Sequence, residues 1–221
     1  MLWPVPFQRH WPPVPGQRLS PRFSRAPGEV NWRQHPEGTK FVDFEGLADM
    51  SVLGEIVPGV RFTTTSGYDW IISRVSTGKY NAKYPNGRYT CEGDACTWLG
   101  PDQGSGIITF TVGKASYFSF MTSEYLGVTV DAYDEYGNFL ESSGWATNNL
   151  DTGTMDRLVI WREMADISYV VVHDTGDYWI LDSMATDAPG VTWPVPEPSS
   201  LLALGGGLIG LGGVFFRRRR R

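Results

Sequence analysis

The chain is poor in the residues that most metal centres and nucleophilic enzymes need. It has two cysteines, Cys91 and Cys96, and three histidines, of which only His173 lies beyond residue 37. A zinc site asks for about four Cys or His ligands, and no neighbouring residues supply them. No G-x-S-x-G, H-E-x-x-H or P-loop pattern occurs, so the common hydrolase, metalloprotease and nucleotide signatures are missing. Positive charge is scarce between residues 37 and 190, where nine Lys or Arg stand against 22 Asp or Glu, a net charge of −13. This excludes nucleic acid as a partner of the body. The same stretch shows no amphipathic helix. Long apolar runs are missing too, with one exception of 16 uncharged residues at 201–216.

What the chain does have points to β structure. Apolar residues make up 41% and aromatics 14%, which excludes disorder throughout, and 26 Gly with 15 Pro argue against a helical bundle. From residue 40 the apolar pattern has period two or forms short runs, punctuated by Gly, Asn and Asp. It predicts strands at 40–44, 60–65, 70–75, 106–112, 115–122, 126–133, 138–143, 157–161, 167–173 and 178–184. Val128, Val130 and Ala132 share one face of their strand, and Thr129, Asp131 and Tyr133 the other. Residues 134–138 read as a hairpin turn in which Gly137 takes a positive φ. About ten short strands predict an all-β fold, an antiparallel two-sheet β-sandwich. Residues 76–104 show little apolar pattern and are expected to form a long surface loop.

The C-terminus is organised differently. Pro196, Glu197 and Pro198 precede the apolar run 201–216, and Arg217, Arg218, Arg219, Arg220 and Arg221 follow it. As a helix the run spans roughly 24 Å, just short of a bilayer core, and six glycines weaken it. The arginines stay cytoplasmic by the positive-inside rule, so the body is exported. A plain tail anchor is one reading. A Pro-Glu-Pro triplet, a Gly-rich span and a terminal Arg cluster in this order resemble a PEP-CTERM sorting tail. The resemblance implies a Gram-negative bacterium that makes extracellular polysaccharide. It also implies exosortase as the partner that recognises the triplet and cuts near it. The protein would then sit transiently in the inner membrane as a precursor, and afterwards in the envelope, at the surface or in the extracellular matrix.

The N-terminus does not match that address. Residues 1–36 hold eight of the 15 prolines and have no unbroken apolar stretch of signal-peptide length. The expectation is a misassigned start or a disrupted gene; the alternative is a disordered leader. The expected organisation is leader 1–36, sandwich 37–190, linker 191–200, transmembrane helix 201–216 and Arg cluster 217–221.

The body carries a second resemblance. Phe41-Val42-Asp43-Phe44-Glu45-Gly46-Leu47, residues 56–62, the hairpin 130–140 and Trp179-Ile180-Leu181-Asp182-Ser183-Met184 are similar to the strands of jelly-roll domains common in exported bacterial proteins. In those domains an acid of the first strand and one of the last meet at a structural calcium. The resemblance therefore implies calcium at Asp43 or Glu45 with Asp182, though Ser183 stands where a second acid or Asn often follows. The reading beside it is that these acids cap turns or face solvent. Residues 131–138 do not form an EF-hand, because alternate oxygen ligands and a closing Glu are missing.

Cys91 and Cys96 enclose four residues including Gly93, and an even count in an exported chain predicts a disulfide. Trp98 and Trp145 lie in polar, Gly-rich surroundings and are the candidates for stacking on sugar rings, with Tyr80, Tyr84 and Tyr89 near the long loop. Trp161 and Trp179 lie in apolar strands and are expected in the core. His173 ends a Val-rich strand, where a polar edge role is expected. The reading reached is an exported, non-catalytic surface or matrix protein. One alternative is a carbohydrate-binding module for extracellular polysaccharide. Another is a glycan-active enzyme working through paired carboxylates, which sequence spacing leaves open.

Overall fold

Alternating side chains give most of the strands an apolar face, and these faces pack against one another. The computed structural model describes residues 35–77, 88–99, 104–175 and 179–193. Residues 1–34 of the leader, the triplet Pro196–Glu197–Pro198, the span 201–216 and the arginines 217–221 lie outside the described residues, as do Tyr80 and Tyr84. Among the described residues no helix is long and apolar enough to cross a membrane. Their only helical element is a 3-10 turn at Val75–Thr77.

The strands are β1 (Lys40–Val42), β2 (Val60–Thr64), β3 (Ile71–Arg74), β4 (Ala95–Trp98), β5 (Gly106–Phe110), β6 (Tyr117–Glu124), β7 (Val128–Tyr133), β8 (Phe139–Ser142), β9 (Asp156–Trp161), β10 (Tyr169–Asp174) and β11 (Trp179–Thr186). One sheet runs β3-β4-β11-β6-β9, with β1 also on β11, and the other runs β2-β5-β10-β7-β8. All pairs are antiparallel. From β4 onward the chain passes between the sheets in jelly-roll order, closing β11 beside β6 and β10 beside β7.

The expected strands are present, and the alternation at β7 holds. Val128, Val130 and Ala132 are fully buried, while Asp131 and Tyr133 are half-exposed on the other face. Phe118 and Phe120 of β6 face inward beside Leu158 and Ile160 of β9. Phe110 reaches Phe118 across the sheets at 6.2 Å, and Trp70 links Phe62 to Trp179 at 5.7 Å each. Truncating one such ring to Ala costs roughly 3–5 kcal/mol, because the packed neighbours cannot collapse into the gap.

The 134–138 turn is closed as expected. The Asp134 carboxylate accepts the Tyr136 and Asn138 N–H groups at 2.9 and 2.8 Å and the Asn138 amide at 2.8 Å. Gly137 sits at φ +82°, where a Cβ would strain the backbone. These bonds, led by the Asn138 side chain, hold the Asp134 carboxyl below its ordinary range.

Two expectations are corrected. The stretch 76–104 is not wholly loop: β4 lies within it and pairs with both β3 and β11. Its residues Ala95, Cys96 and Thr97 are fully buried but small or polar, so they give no apolar signal. Trp161 is not in the core; it is 51% exposed on the outer face of its sheet, because Leu158 and Ile160 fix the inward register. Trp179 is buried as expected, and packing continues through Val191 and Trp193.

Candidate functional site

The outer face of the five-stranded sheet carries a row of exposed and half-buried aromatic and polar side chains. Inward Val170 and Val172 turn Tyr169, Val171 and His173 outward on β10, beside outward Thr129, Asp131 and Tyr133 of β7. Tyr133 and Tyr169 are direct cross-strand partners, stacked at 5.1 Å with ring planes 7° apart. Phe139 of β8 meets Tyr133 edge-on at 5.9 Å and is half-exposed. Burial and the nearby Asp131 charge push the Tyr133 phenol upward, so it stays a neutral donor. Three rings in one row across adjacent strands make an amphipathic strip of ring edges and phenol hydroxyls.

Trp145 extends this strip. It is 52% exposed and meets the His173 ring edge-on at 5.6 Å. His173 Nε2 lies 2.9 Å from the Asp131 carboxylate, which orients the imidazole. Behind Trp145 is Gly127, where a Cβ would lie 3.6 Å from the indole.

The segment carrying Trp145 is stitched to the sandwich through backbone groups. Ala146 N–H donates to the Val128 carbonyl at 2.9 Å, and Asn149 N–H to the Glu124 carbonyl at 3.1 Å. The Asn149 side chain replaces a strand neighbour for the end of β6. It accepts Glu124 N–H at 3.0 Å and donates to the Thr122 carbonyl at 3.0 Å. Thr147 N–H reaches the Asp156 carboxylate at 3.4 Å.

At this corner the sandwich interior becomes acidic. Glu124 lies opposite core Trp179, and Thr122 opposite both core Leu181 and Asp156, so these side chains share the inner face. Glu124 is only 1% exposed, and among the described residues neither carboxyl oxygen accepts a hydrogen bond. Burial pushes its carboxyl up to about 8. The nearby Thr122 hydroxyl pulls the other way, but from outside hydrogen-bond geometry, and the Asp156 carboxylate adds to the rise.

A second acidic group lies on the opposite, outer face of the six-stranded sheet, at the turn of residues 91–96. Cys91 and Cys96 form the expected disulfide there, with Cα atoms 5.9 Å apart. Glu45 accepts the Asp94 and Ala95 N–H groups at 2.6 and 2.9 Å, close to Gly93. Asp182 is buried and accepts Glu92 N–H at 2.8 Å and Ser183 N–H at 2.6 Å, while the Ser183 hydroxyl bonds Glu92. Burial raises the Asp182 carboxyl well above its usual range, and the charges of Glu92 and Glu45 add to the rise against the two N–H bonds.

Of the acids expected at calcium, Glu45 and Asp182 therefore reach the same turn, with Glu92 beside them. Asp43 turns elsewhere: it accepts Trp193 Nε1 at 2.8 Å and Glu45 N–H at 3.1 Å. The donors are all oxygen, which suits a hard cation. Even so, no three acids, histidines or cysteines among the described residues stand close enough to hold one.

Trp98 and Trp145 do not form one site. Trp98 is half-buried on the outer face of the six-stranded sheet, cross-strand from Ile71. Tyr89 is buried beside Cys96 and Ile180, so it offers no ring to a ligand. Sequence reasoning missed the Tyr133–Tyr169–Phe139 row, since the partners are 36 residues apart and only register brings them together. It also missed Glu124, one acid among 22 in the body.

Residues 194–221 match the PEP-CTERM protein-sorting motif, which marks an exported protein that exosortase processes after transient anchoring at the membrane. No curated protein matches the chain. The fold is similar to the K2 cleaved adhesin domain of Lys-gingipain, with 10% identity, a TM-score of 0.45 and coverage of 67% of this chain and 98% of that one. It is also similar to the K1 adhesin domain from Porphyromonas gingivalis W83, with 14% identity, a TM-score of 0.41 and coverage of 69% and 99%. A third similar structure is the carbohydrate-binding module TmCBM61 in complex with beta-1,4-galactotriose, with 14% identity, a TM-score of 0.35 and coverage of 57% and 85%.

Proposed function

We propose that this exported protein is a non-catalytic matrix component that binds extracellular polysaccharide on the outer face of its five-stranded sheet. One observation carries the reading: Trp145, His173–Asp131 and the Tyr169–Tyr133–Phe139 row share a single solvent-facing surface. Sugar rings offer apolar C–H faces to aromatics and hydroxyls to polar groups, and this surface supplies both partners. The body's charge of −13 disfavours a polyanion unless cations bridge it, so a neutral glycan suits the face best. The sorting tail supplies the address, with Pro196, Glu197 and Pro198 as the recognition triplet, 201–216 as the temporary span and Arg217 to Arg221 as the stop.

The test is calorimetric titration of the exported protein with polysaccharide purified from the matrix of its own host. W145A should weaken binding about tenfold, the loss of one stacking contact of about 1.4 kcal/mol. W98A, on the opposite sheet, should leave it unchanged. Polysaccharide that binds W145A as tightly as the native protein, or does not bind at all, overturns the reading.

A further inference from the structure

The corner beneath Trp145 has more acid than its surroundings can neutralise. Glu124 is buried with neither oxygen accepting a hydrogen bond from the described residues, and the Thr122 hydroxyl on the same inner face has no partner among them. Among the described residues, the titratable groups on the neighbouring elements are acidic or already paired. Asp156 faces it from β9. Asp174 of β10 is engaged by Trp179 Nε1 at 2.6 Å. Arg88 is paired with Asp151 at 2.9 Å, and His173 with Asp131 at 2.9 Å. No cation among the described residues bonds to Glu124.

The backbone of Glu124 is at the same time the anchor of the neighbouring segment. Its N–H and C=O both bond to Asn149, and Asp156, the acid facing its side chain, takes Thr147 N–H. Ala146 of that segment is part of the core. A proton on Glu124 leaves this corner neutral enough to stay closed. Ionised beside Asp156, the carboxylate needs water, and parting the end of β6 from Asn149 would admit it.

We propose that Glu124 is a proton-operated latch: protonated, it keeps residues 144–149 closed and Trp145 seated on the binding face, and ionised, it releases them. The inference rests on the polysaccharide reading for its consequence, since it makes glycan affinity fall in alkali. It rests on the geometry of the corner alone for the latch itself. An acid that titrates near 8 is about one-tenth ionised at pH 7 and about nine-tenths at pH 9. If only the protonated form seats Trp145, apparent affinity falls about tenfold over that interval.

The experiment is hydrogen exchange at the Ala146 and Asn149 amides of the exported protein and of E124Q, from pH 6 to 9.5. Protection is expressed against the unprotected rate at each pH, and polysaccharide titrations run in parallel. Protection in the native protein should fall about tenfold through pH 8, affinity should fall with it, and E124Q should show neither. Any dependence imposed by the His173–Asp131 pair survives in E124Q and so subtracts out. D156N, which keeps Glu124, should move the midpoint down. Protection that is flat in the native protein, or that falls equally in E124Q, overturns the latch. Protection that responds while affinity stays constant overturns its link to binding. Protection that responds when no polysaccharide binds at any pH upholds the latch and sinks the glycan reading.

Discussion

Replacing Glu124 by Gln should leave stability unchanged below about pH 4.3 and raise it increasingly as pH climbs to about 8. In the folded chain the carboxyl titrates near 8, and in the unfolded chain near the ordinary glutamate value of about 4.3. The folded state therefore holds this proton more tightly, so the contribution is whole below about pH 4.3 and is lost as pH rises through about 8. The slope is about 1.4 kcal/mol per pH unit, with a ceiling of about 5 kcal/mol once the group is ionised in both states. Opening of the corner to water lowers the ceiling, and a loss of about 2–4 kcal/mol is the expected range. Gln fills the same volume, carries no charge at any pH and keeps the main-chain bonds to Asn149. The assay is urea unfolding of both proteins by tryptophan fluorescence from pH 4.5 to 9.5, at one ionic strength and with chelator present. The difference between the curves isolates Glu124. The slope contributed by Asp182, across the sheet, is common to both proteins and cancels. A difference that stays constant with pH would refute the reasoning.

Three further outcomes follow from the same corner and the opposite face. N149A strips two bonds from β6 and leaves a buried N–H and C=O unpaired, at a cost of about 2–4 kcal/mol or a fall in Tm of roughly 5–12 °C. A loss under about 1 kcal/mol would show that water takes the amide's place. The bridge Cys91–Cys96 closes a loop of only six residues, so C91A/C96A should lose about 2 kcal/mol in chemical unfolding, and a loss above about 4 would show that it does more than close that loop. If calcium sits at Glu45 and Asp182, chelation should lower Tm in the native protein and not in D182N, with about 2.7 kcal/mol at stake when the ion is at a hundredfold its Kd. A Tm indifferent to chelator would remove the ion from that turn.

The sandwich was legible wherever strand alternation was apolar. Val128, Val130 and Ala132 announce both their strand and its inner face. The 134–138 turn is written in Asp134, Gly137 and Asn138, whose chemistry is local. β4 was not legible, because Ala95 and Thr97 are buried by their neighbours rather than by their own hydrophobicity. Trp161 shows the reverse: its character suggests core, but Leu158 and Ile160 claim the inward positions and period two sends it out. The candidate face was half legible. Trp145 stands out in a polar stretch, whereas Tyr133 and Tyr169 become a pair only through the register of β7 with β10. Glu124 is illegible in principle, since its burial comes from three strands and a side-chain amide meeting at one corner.

The closing strand has a mechanical consequence. β11 is hydrogen-bonded on one edge to β6 and on the other to β4 and β1, and beyond it Val191 is buried and Trp193 is tied to Asp43. Tension applied past Trp193 enters the domain through an interior strand. To extract it, two rows of bonds must shear together, whereas an edge hairpin would peel open one bond at a time. A domain held by its C-terminal side against flow is thus gripped where it resists pulling best, and the first contact to yield is the Trp193–Asp43 tie.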